Sequence, residues 1–206
     1  MVDGQLRDSR RGGVVTDLDG TLLRGNSLKW ILKAGLSRML RRGRIPSVLA
    51  VLALGGLAYC RLVSHETMKY GALRLFGDDP GLMEEMHRLG IERRNEDVVR
   101  ILAEAESRGD RILLASAASE SYIRELWDGE YIASPFGGPD LRGEQKLQAV
   151  KKWLAENDLR FEAFLTDHYH DLPLAEYAYH SGAIVYLVNP TDESRRRFDA
   201  AGIRYT

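Results

Sequence analysis

The sequence lacks the features that mark secreted and membrane-spanning chains. It has one cysteine, Cys60, which cannot form an internal disulfide and suits a reducing compartment. Its longest stretch without a charged residue, 45–60, counts 16 residues, fewer than the roughly 20 that a membrane-spanning helix needs. Residues 1–12 are polar and mixed in charge, without the apolar core of a signal peptide. We therefore expect a cytoplasmic protein.

The chain also lacks an overall excess of charge of one sign. It carries 29 Lys and Arg residues against 30 Asp and Glu residues, so nothing in its net charge of −1 favours nucleic acid as a partner. Internal repeats and low-complexity tracts are absent, and 44% of the residues are hydrophobic, as is typical of globular proteins. A length of 206 residues allows one well-buried domain, or a core with a small insert, and leaves the oligomeric state open.

What the sequence does contain is an alternation of strand and helix signals. A short apolar run at residues 13–16 predicts a buried strand that ends in a turn. Further along the chain, the predicted helices are 96–107, 119–127, 144–156, 171–180 and 192–200, and the predicted strands are 111–115, 130–133, 161–166 and 183–188. Strands joined by helices of this length form a parallel sheet covered on both faces.

The segment between the first two strands carries helical signals only. Asn26 or Ser27 is placed to cap a first helix, Pro46 to start a second, and Ser64 with Thr67 to open a third. We therefore predict an α/β fold: a three-layer, Rossmann-like parallel-sheet core with a mostly helical cap inserted after the first strand. The predicted core comprises residues 1–22 and 91–206, and the predicted cap residues 23–90.

Polar residues that could take part in catalysis follow the predicted strands. They are Asp17 and Asp19 after the first strand, Ser116 after the second, Lys146 downstream of the third, and Asp167 and Asp171 after the fourth. Because the carboxyl ends of parallel strands share one edge of a sheet, these side chains are expected to converge there.

This set suits phosphoryl transfer, which needs a nucleophile, charge neutralisation and a proton donor. Asp17 can attack as a carboxylate, and Asp19 can protonate the leaving group and then activate water. Several carboxylates at one place imply a hard cation, and oxygen ligands favour Mg²⁺. Ser116 and the backbone N–H groups after it can bind phosphoryl oxygens, and Lys146 can bring positive charge to the phosphate and to Asp17.

Four short motifs in this order resemble those of the haloacid dehalogenase superfamily of phosphatases. They are Asp17-Leu-Asp-Gly-Thr21, Leu113-Leu-Ala-Ser116, Gly143-Glu-Gln-Lys146, and Asp167 with Asp171-Leu-Pro in the fourth. The resemblance spans about residues 13–190. The position of the insert, and Leu-Pro after Asp171, are most similar to the phosphoserine phosphatase-like branch.

The resemblance implies a role for each residue. Asp17 corresponds to the nucleophile and a metal ligand, and Asp19 to the acid/base whose backbone carbonyl also meets the metal. Asp167 corresponds to the direct metal ligand of the fourth motif, and Asp171 to its second acidic residue, which orders the site or holds a water on the metal. The remaining groups, implied to bind phosphate and order the site, are Thr21, Ser116, Ala117 and Lys146.

The sequence differs from phosphoserine phosphatases at two places. Ser116-Ala-Ala-Ser119 stands where those enzymes have Ser-Gly-Gly, which argues against phosphoserine as the substrate, and Thr166 replaces a common Gly. The prediction is a Mg²⁺-dependent phosphate-monoester hydrolase that acts on a small phosphorylated substrate. The alternatives are a dehalogenase, which needs no metal, a phosphotransferase, a non-catalytic binding module, and a zinc site at His168 and His170.

The distribution of charge leaves one further alternative open. Residues 22–76 carry ten Lys and Arg residues against Glu66 alone, which makes this segment +9 and the remainder −10. Such an excess arises from solvated helix faces, or from attraction to a polyanionic substrate or to anionic lipid head groups. Arg38, Arg41, Arg42 and Arg44 also precede the apolar run at 48–59. Peripheral contact with an anionic membrane, and a lipid-linked phosphate as substrate, are therefore alternatives.

Overall fold

The computed structural model describes residues 10–206, which form a five-stranded parallel sheet flanked by helices. The strands are β1 (Gly12–Thr16), β2 (Arg111–Ser119), β3 (Glu130–Ser134), β4 (Arg160–Thr166) and β5 (Ile184–Leu187). Their order across the sheet is β3-β2-β1-β4-β5, and every neighbouring pair is parallel. The predicted parallel α/β fold is thus confirmed, with β1 at the centre.

Helices connect the strands and cover the sheet. Between β1 and β2 lie α1 (Ser27–Arg41), α2 (Ile45–Tyr59), α3 (His65–Phe76), α4 (Pro80–Glu92) and α5 (Glu96–Ser107). Beyond β2 lie α6 (Glu120–Ile123), α7 (Gly143–Glu156), α8 (Leu172–His180) and α9 (Asp192–Ala200). The helical insertion after the first strand is therefore present as predicted. None of the helices in residues 10–206 combines the length and the apolar character needed to cross a membrane.

The sheet separates two apolar layers, because alternate residues of a strand face opposite sides. Val14 packs with the insertion and α5, whereas Val15 packs with the side of the sheet that α7, α8 and α9 cover. Both are buried, as are the other residues of β1. Burial on both faces explains why β1 is a continuous apolar run rather than an alternating one.

Local signals account for most of the helix starts. The Asn26 side chain accepts a hydrogen bond from the Lys29 N–H at the start of α1, and Ser64 accepts one from Thr67 at the start of α3. The sequence pattern did not single out α4, although it also begins with a recognisable signal. Asp79 accepts from the N–H of Gly81, and Pro80 is the first helical residue.

The predicted lengths of two elements after the insertion were wrong. The second strand was expected to end at Ala115, but β2 continues to Ser119 because Ser116 pairs with Ala133 and Ser119 with Ser134 on β3. The helix expected over 119–127 is therefore reduced to the single turn of α6. Pairing between β2 and β3 overrides the local helical signal here.

The division of the chain into a core and a cap stays a prediction. The helix α4 runs to Glu92, two residues past the predicted cap boundary at 90. Residues 1–9 of the predicted core lie outside the described residues. They include most of the N-terminal stretch for which the sequence predicted no signal peptide.

Candidate active site

The turn that follows β1 brings Asp17 and Asp19 to the carboxyl edge of the sheet. The backbone N–H of Asp17 still bonds the Leu165 carbonyl of β4, at 2.9 Å, so the sheet fixes its position. Gly20 then adopts a positive φ of 83°, and a Cβ placed there would lie 2.1 Å from the Asp167 carboxylate. The turn therefore requires glycine, for its backbone conformation and for the close approach of Asp167.

Lys146 lies between two carboxylates at the centre of the site. Its Nζ is 2.8 Å from Oδ1 of Asp17 and 2.8 Å from the Asp171 carboxylate, and the lysine side chain is only 3% exposed. The Thr166 hydroxyl also donates to Asp171, at 2.9 Å. Asp171 is thus held by two donors, which fixes Lys146 against Asp17.

The site holds more negative charge than one lysine neutralises. Burial raises the pKa of Asp17, Asp171 raises it further, and Lys146 acts in the opposite direction. Burial also raises the pKa of Asp167 to about 6, with Asp171 and Asp19 adding to the effect. Burial alone would lower the pKa of Lys146, but Asp17 and Asp171 together raise it above its ordinary value. Even with Lys146 charged, the carboxylates give the site an excess of negative charge, which a bound cation would neutralise.

The donor set fits a hard cation that is only partly coordinated by side chains. Within residues 10–206, no three His, Cys, Asp or Glu side chains stand together as a complete metal-binding cluster. Asp171 is engaged by two donors, Lys146 and Thr166, whereas Asp17 is bonded by Lys146 through Oδ1 only. The second oxygen of Asp17 and the carboxylate of Asp167 are therefore the acidic groups that would meet a metal. Mg²⁺ uses few protein carboxylates and retains water, so this set suits it better than a full protein cage would.

Ser27, the first residue of α1 in the insertion, holds the Asp19 side chain in place. The Asp19 carboxylate accepts hydrogen bonds from the backbone N–H of Ser27, at 2.7 Å, and from the Ser27 hydroxyl, at 3.0 Å. The same hydroxyl lies 3.4 Å from the phenol of the buried Tyr122. Burial raises the pKa of Asp19, and the two bonds from Ser27 oppose that rise. A carboxyl group whose pKa is raised in this way suits proton transfer.

Of the predicted phosphate-binding groups, Ser116 and Ala117 lie in the last part of β2, Thr21 lies in the turn after β1, and Lys146 lies on α7. Leu114 of β2 pairs with Thr16, the last residue of β1, and Ser116 lies two residues further along β2. The Ser116 hydroxyl accepts a hydrogen bond from the Ala118 N–H at 3.1 Å. Ser116 belongs to β2 and does not follow it, and the next helix starts only at Glu120. The buried Thr21 hydroxyl has no hydrogen-bond partner among the described residues. It is therefore available to a ligand or to water.

A cavity of about 270 Å³ lies between the insertion and the strand ends. Asp19, Ala117 and Tyr122 line its inner side, and the remaining lining is Asn26, Leu28, Lys29, Leu32, His65, Met68, Lys69, Ala118 and Arg142. Its lining combines the acidic Asp19 with the basic side chains of Lys29, Lys69 and Arg142, and the rest is neutral polar or apolar apart from His65. A larger cavity of about 600 Å³ lies beside α5 and the amino end of β2, and none of the predicted site residues lines it. The smaller cavity, which Asp19 lines, is therefore the candidate substrate site.

Lys69 of α3 and Asp140 form a buried ion pair that ties the insertion to the core, and sequence reasoning missed it. The Lys69 Nζ lies 2.5 Å from Asp140 and 2.8 Å from the Ala117 carbonyl. Burial lowers the pKa of Lys69, and Asp140 opposes that effect. One signal was present: Lys69 falls on the same helical stripe as the buried residues Leu73 and Phe76. A charge on an apolar stripe needs a partner.

The two histidines between Asp167 and Asp171 contact each other. The N–H of His170 donates to Nδ1 of His168, and the two rings lie 4.3 Å apart. Burial lowers the pKa of both rings. No His, Cys, Asp or Glu cluster in the described part of the chain includes them, so the zinc alternative gains no support.

A parallel sheet covered by helices on both faces, with acidic residues at its carboxyl edge, defines the Rossmann-like α/β class of proteins. Within that class, the profile of the haloacid dehalogenase-like hydrolases matches residues 14–176. The chain belongs to this family.

Solved structures with the same fold include several phosphatases. A protein of unknown function from Bordetella pertussis Tohama I is 20% identical, with a TM-score of 0.70 over 96% of this chain and 98% of that chain. A phospho-aspartyl intermediate analogue of phosphoserine phosphatase is 13% identical, with a TM-score of 0.56 over 91% of each chain. A phosphoserine phosphohydrolase-like protein from Francisella tularensis is 17% identical, with a TM-score of 0.55 over 94% of each chain. No curated protein matches the sequence.

Proposed function

We propose that this protein is a Mg²⁺-dependent phosphate-monoester hydrolase that works through a phosphorylated Asp17. The observation that carries the proposal is the position of Asp17. It is buried at the end of the central strand, bonded to Lys146, with Asp19 held two residues away at the wall of the cavity. Family membership supports hydrolysis, and the likeness of fold to phosphoserine phosphatases agrees with phosphate esters as substrates.

In the first step, a carboxylate oxygen of Asp17 attacks phosphorus while the bond from phosphorus to the leaving oxygen breaks. Asp19 gives its proton to that leaving alkoxide. Lys146 keeps Asp17 ionised and directed, because it is itself fixed by Asp171. In the second step, Asp19 takes a proton from water, the water oxygen attacks phosphorus, and inorganic phosphate leaves with Asp17 restored.

A magnesium ion in this site would be held by the carboxylates of Asp17 and Asp167 and by the backbone carbonyl of Asp19. Bound there, it would neutralise charge on the phosphoryl oxygens and lower the excess negative charge of the site. Ser116, Ala117 and Thr21 would bind the phosphoryl oxygens from the β1 and β2 side. Asp171 would act through its bonds to Lys146 and Thr166.

Removal of divalent metal provides the direct test. EDTA is expected to lower the rate of phosphate release at least about 100-fold, since a bound cation contributes several kcal/mol to charge stabilisation. Mg²⁺ should restore the rate and Zn²⁺ should do so poorly, because the donors are hard oxygens. Asp167→Asn should increase the Mg²⁺ concentration that gives half-maximal activity. Full activity in chelator, with release of halide from haloacids, would instead identify a dehalogenase.

A substitution of Asp19 separates proton transfer from nucleophilic attack. Asp19→Asn is expected to lose at least about 100-fold in rate with alkyl phosphates, the usual contribution of general acid–base catalysis. Aryl phosphates should lose less in the first step because their leaving groups need little protonation. The phosphorylated enzyme should then accumulate, and acid-quenched protein measured by mass spectrometry would reveal it. Equal losses on both substrates, with no accumulated intermediate, would contradict the assignment of Asp19.

A further inference from the structure

The second helix of the insertion exposes an apolar face that nothing in the described chain covers. Ile45, Leu49, Leu52, Gly56 and Tyr59 recur at spacings of four, three, four and three residues, which places them on one side of α2. We call this set the α2 face. Its four side chains are between 49% and 91% exposed, and a Cβ at Gly56 would meet no atom within 4 Å.

This exposure is unusual for such a helix. α2 contains no charged residue, and a helix that is apolar on all sides is normally buried. Here only Val48 and Val51 are buried, against α1 and α3. Leu57 and Leu62, which are 40% and 72% exposed, widen the apolar surface beside the α2 face. Contiguous exposed apolar surface of this kind marks an interaction site.

The segment of chain that contains the α2 face carries charges of one sign. No Asp or Glu occurs between Asp19 and Glu66, whereas eight Lys and Arg residues do. Arg41, the last residue of α1, and Arg61, two residues after α2, are exposed and make no ion pair to an acidic side chain among the described residues. Arg42, by contrast, is paired with Asp79 at 2.7 Å. The apolar surface is therefore flanked by positive charge at both ends.

This arrangement favours an anionic bilayer over a second copy of the chain as the occupant. A symmetric pair formed through the α2 face would bring Arg41 and Arg61 against basic residues of the other copy, with no acidic residue between 20 and 65 to compensate. A membrane surface supplies both missing components: acyl chains for Leu49, Leu52 and Tyr59, and anionic head groups for the arginines. At about 22 Å, α2 is long enough to lie in the interface.

The α2 face also ends near the candidate active site. Short loops join α1 to α2 and α2 to α3, so neighbouring helices run in opposite directions and contact each other. The last turn of α2 therefore lies beside the first turns of α1 and α3. Those turns contribute Lys29, His65 and Met68 to the cavity. A surface that receives Tyr59 and Leu62 would lie next to the cavity mouth.

We infer that the α2 face, with Arg41 and Arg61, is a docking surface for membranes that contain anionic lipid. It binds peripherally, with the helix lying in the plane of the interface. The inference does not depend on the proposed function, because binding can be measured without turnover.

The test is co-sedimentation of the whole protein with vesicles. Vesicles of phosphatidylcholine mixed with phosphatidylserine are expected to bind the protein, and vesicles of phosphatidylcholine alone to bind it much more weakly. Each arginine is expected to increase the affinity for the anionic surface about fivefold. High salt screens this attraction, so binding should fall as the salt concentration rises. Equal binding to both vesicle types, or binding to neither, would overturn the inference.

Matched variants locate the surface. Leu49→Asp with Leu52→Asp should abolish vesicle binding, whereas Ile91→Asp, at an exposed apolar position on α4, should leave it unchanged. Arg41→Glu with Arg61→Glu should reduce binding about 25-fold or more, whereas Arg195→Glu with Arg196→Glu on α9 should not. Circular dichroism verifies that each variant is folded. If the α2 variants bind vesicles like the parent, or if they merely convert a dimer to a monomer, the inference is wrong.

Discussion

Asp17→Asn is expected to reduce the turnover number for phosphate-ester hydrolysis by at least about 10³-fold, since an amide cannot form the acyl-phosphate and loss of a nucleophile has effects of this size or larger. The fold should persist. Burial raises the pKa of Asp17, Lys146 opposes that rise, and Asp171 and Asp167 add to it. A neutral side chain of nearly the same shape relieves the repulsion between carboxylates, and Lys146 keeps its bond to Asp171. The melting temperature should therefore stay the same or increase, as thermal unfolding would measure.

Asp158→Asn is the control for this prediction. Asp158 is exposed and has a φ of 49°, a left-handed conformation that asparagine adopts readily, so the same chemical change should alter neither rate nor stability. Acid-quenched parent protein should carry a phosphoryl group on Asp17, and the Asp17→Asn variant should carry none. If the variant keeps its rate, or a phosphoryl group appears on another residue, Asp17 is not the nucleophile.

Lys146→Met is expected to remove both activity and stability. The lysine is 3% exposed and bridges Asp17 and Asp171, so its loss leaves two buried carboxylates facing each other. Removing one partner of a buried ion pair costs about 3–5 kcal/mol of unfolding free energy. The turnover number should fall at least about 100-fold, as it does when a preorganised electrostatic group is removed. Denaturant unfolding and steady-state kinetics would measure the two effects.

Two further variants separate these effects. Lys152→Met, on the same helix and with its side chain 74% exposed beside Glu156, should change stability by no more than about 0.5 kcal/mol. The double variant Lys146→Met with Asp171→Asn should regain much of the lost stability, because one of the unpaired charges is gone, yet remain inactive. Recovery of activity in the double variant would show that Lys146 acts only as a structural counter-ion to Asp171.

The sequence alone was sufficient to predict the sheet and the residues that gather at its edge. Asp17, Ser116 and Asp167 were recognisable because each stands at or near the end of an apolar run that forms a buried strand. Parallel strands bring their carboxyl ends together, so residues distant in the chain become neighbours by topology alone. Helix starts at Asn26 and Ser64 were also readable, because a cap bonds an N–H only two or three residues away.

The tertiary structure decided which of these neighbours bond and how far each element extends. Lys146 and Asp17 are 129 residues apart in sequence, and Lys69 meets Asp140 from 71 residues away. The bonds from Ser27 that hold Asp19, and the length of β2, likewise depend on partners supplied by other elements. Exposure of the α2 face could not be read from an apolar run that looks like helix core. Local patterns encode propensity and periodicity, whereas burial and pairing are settled only when separate elements pack together.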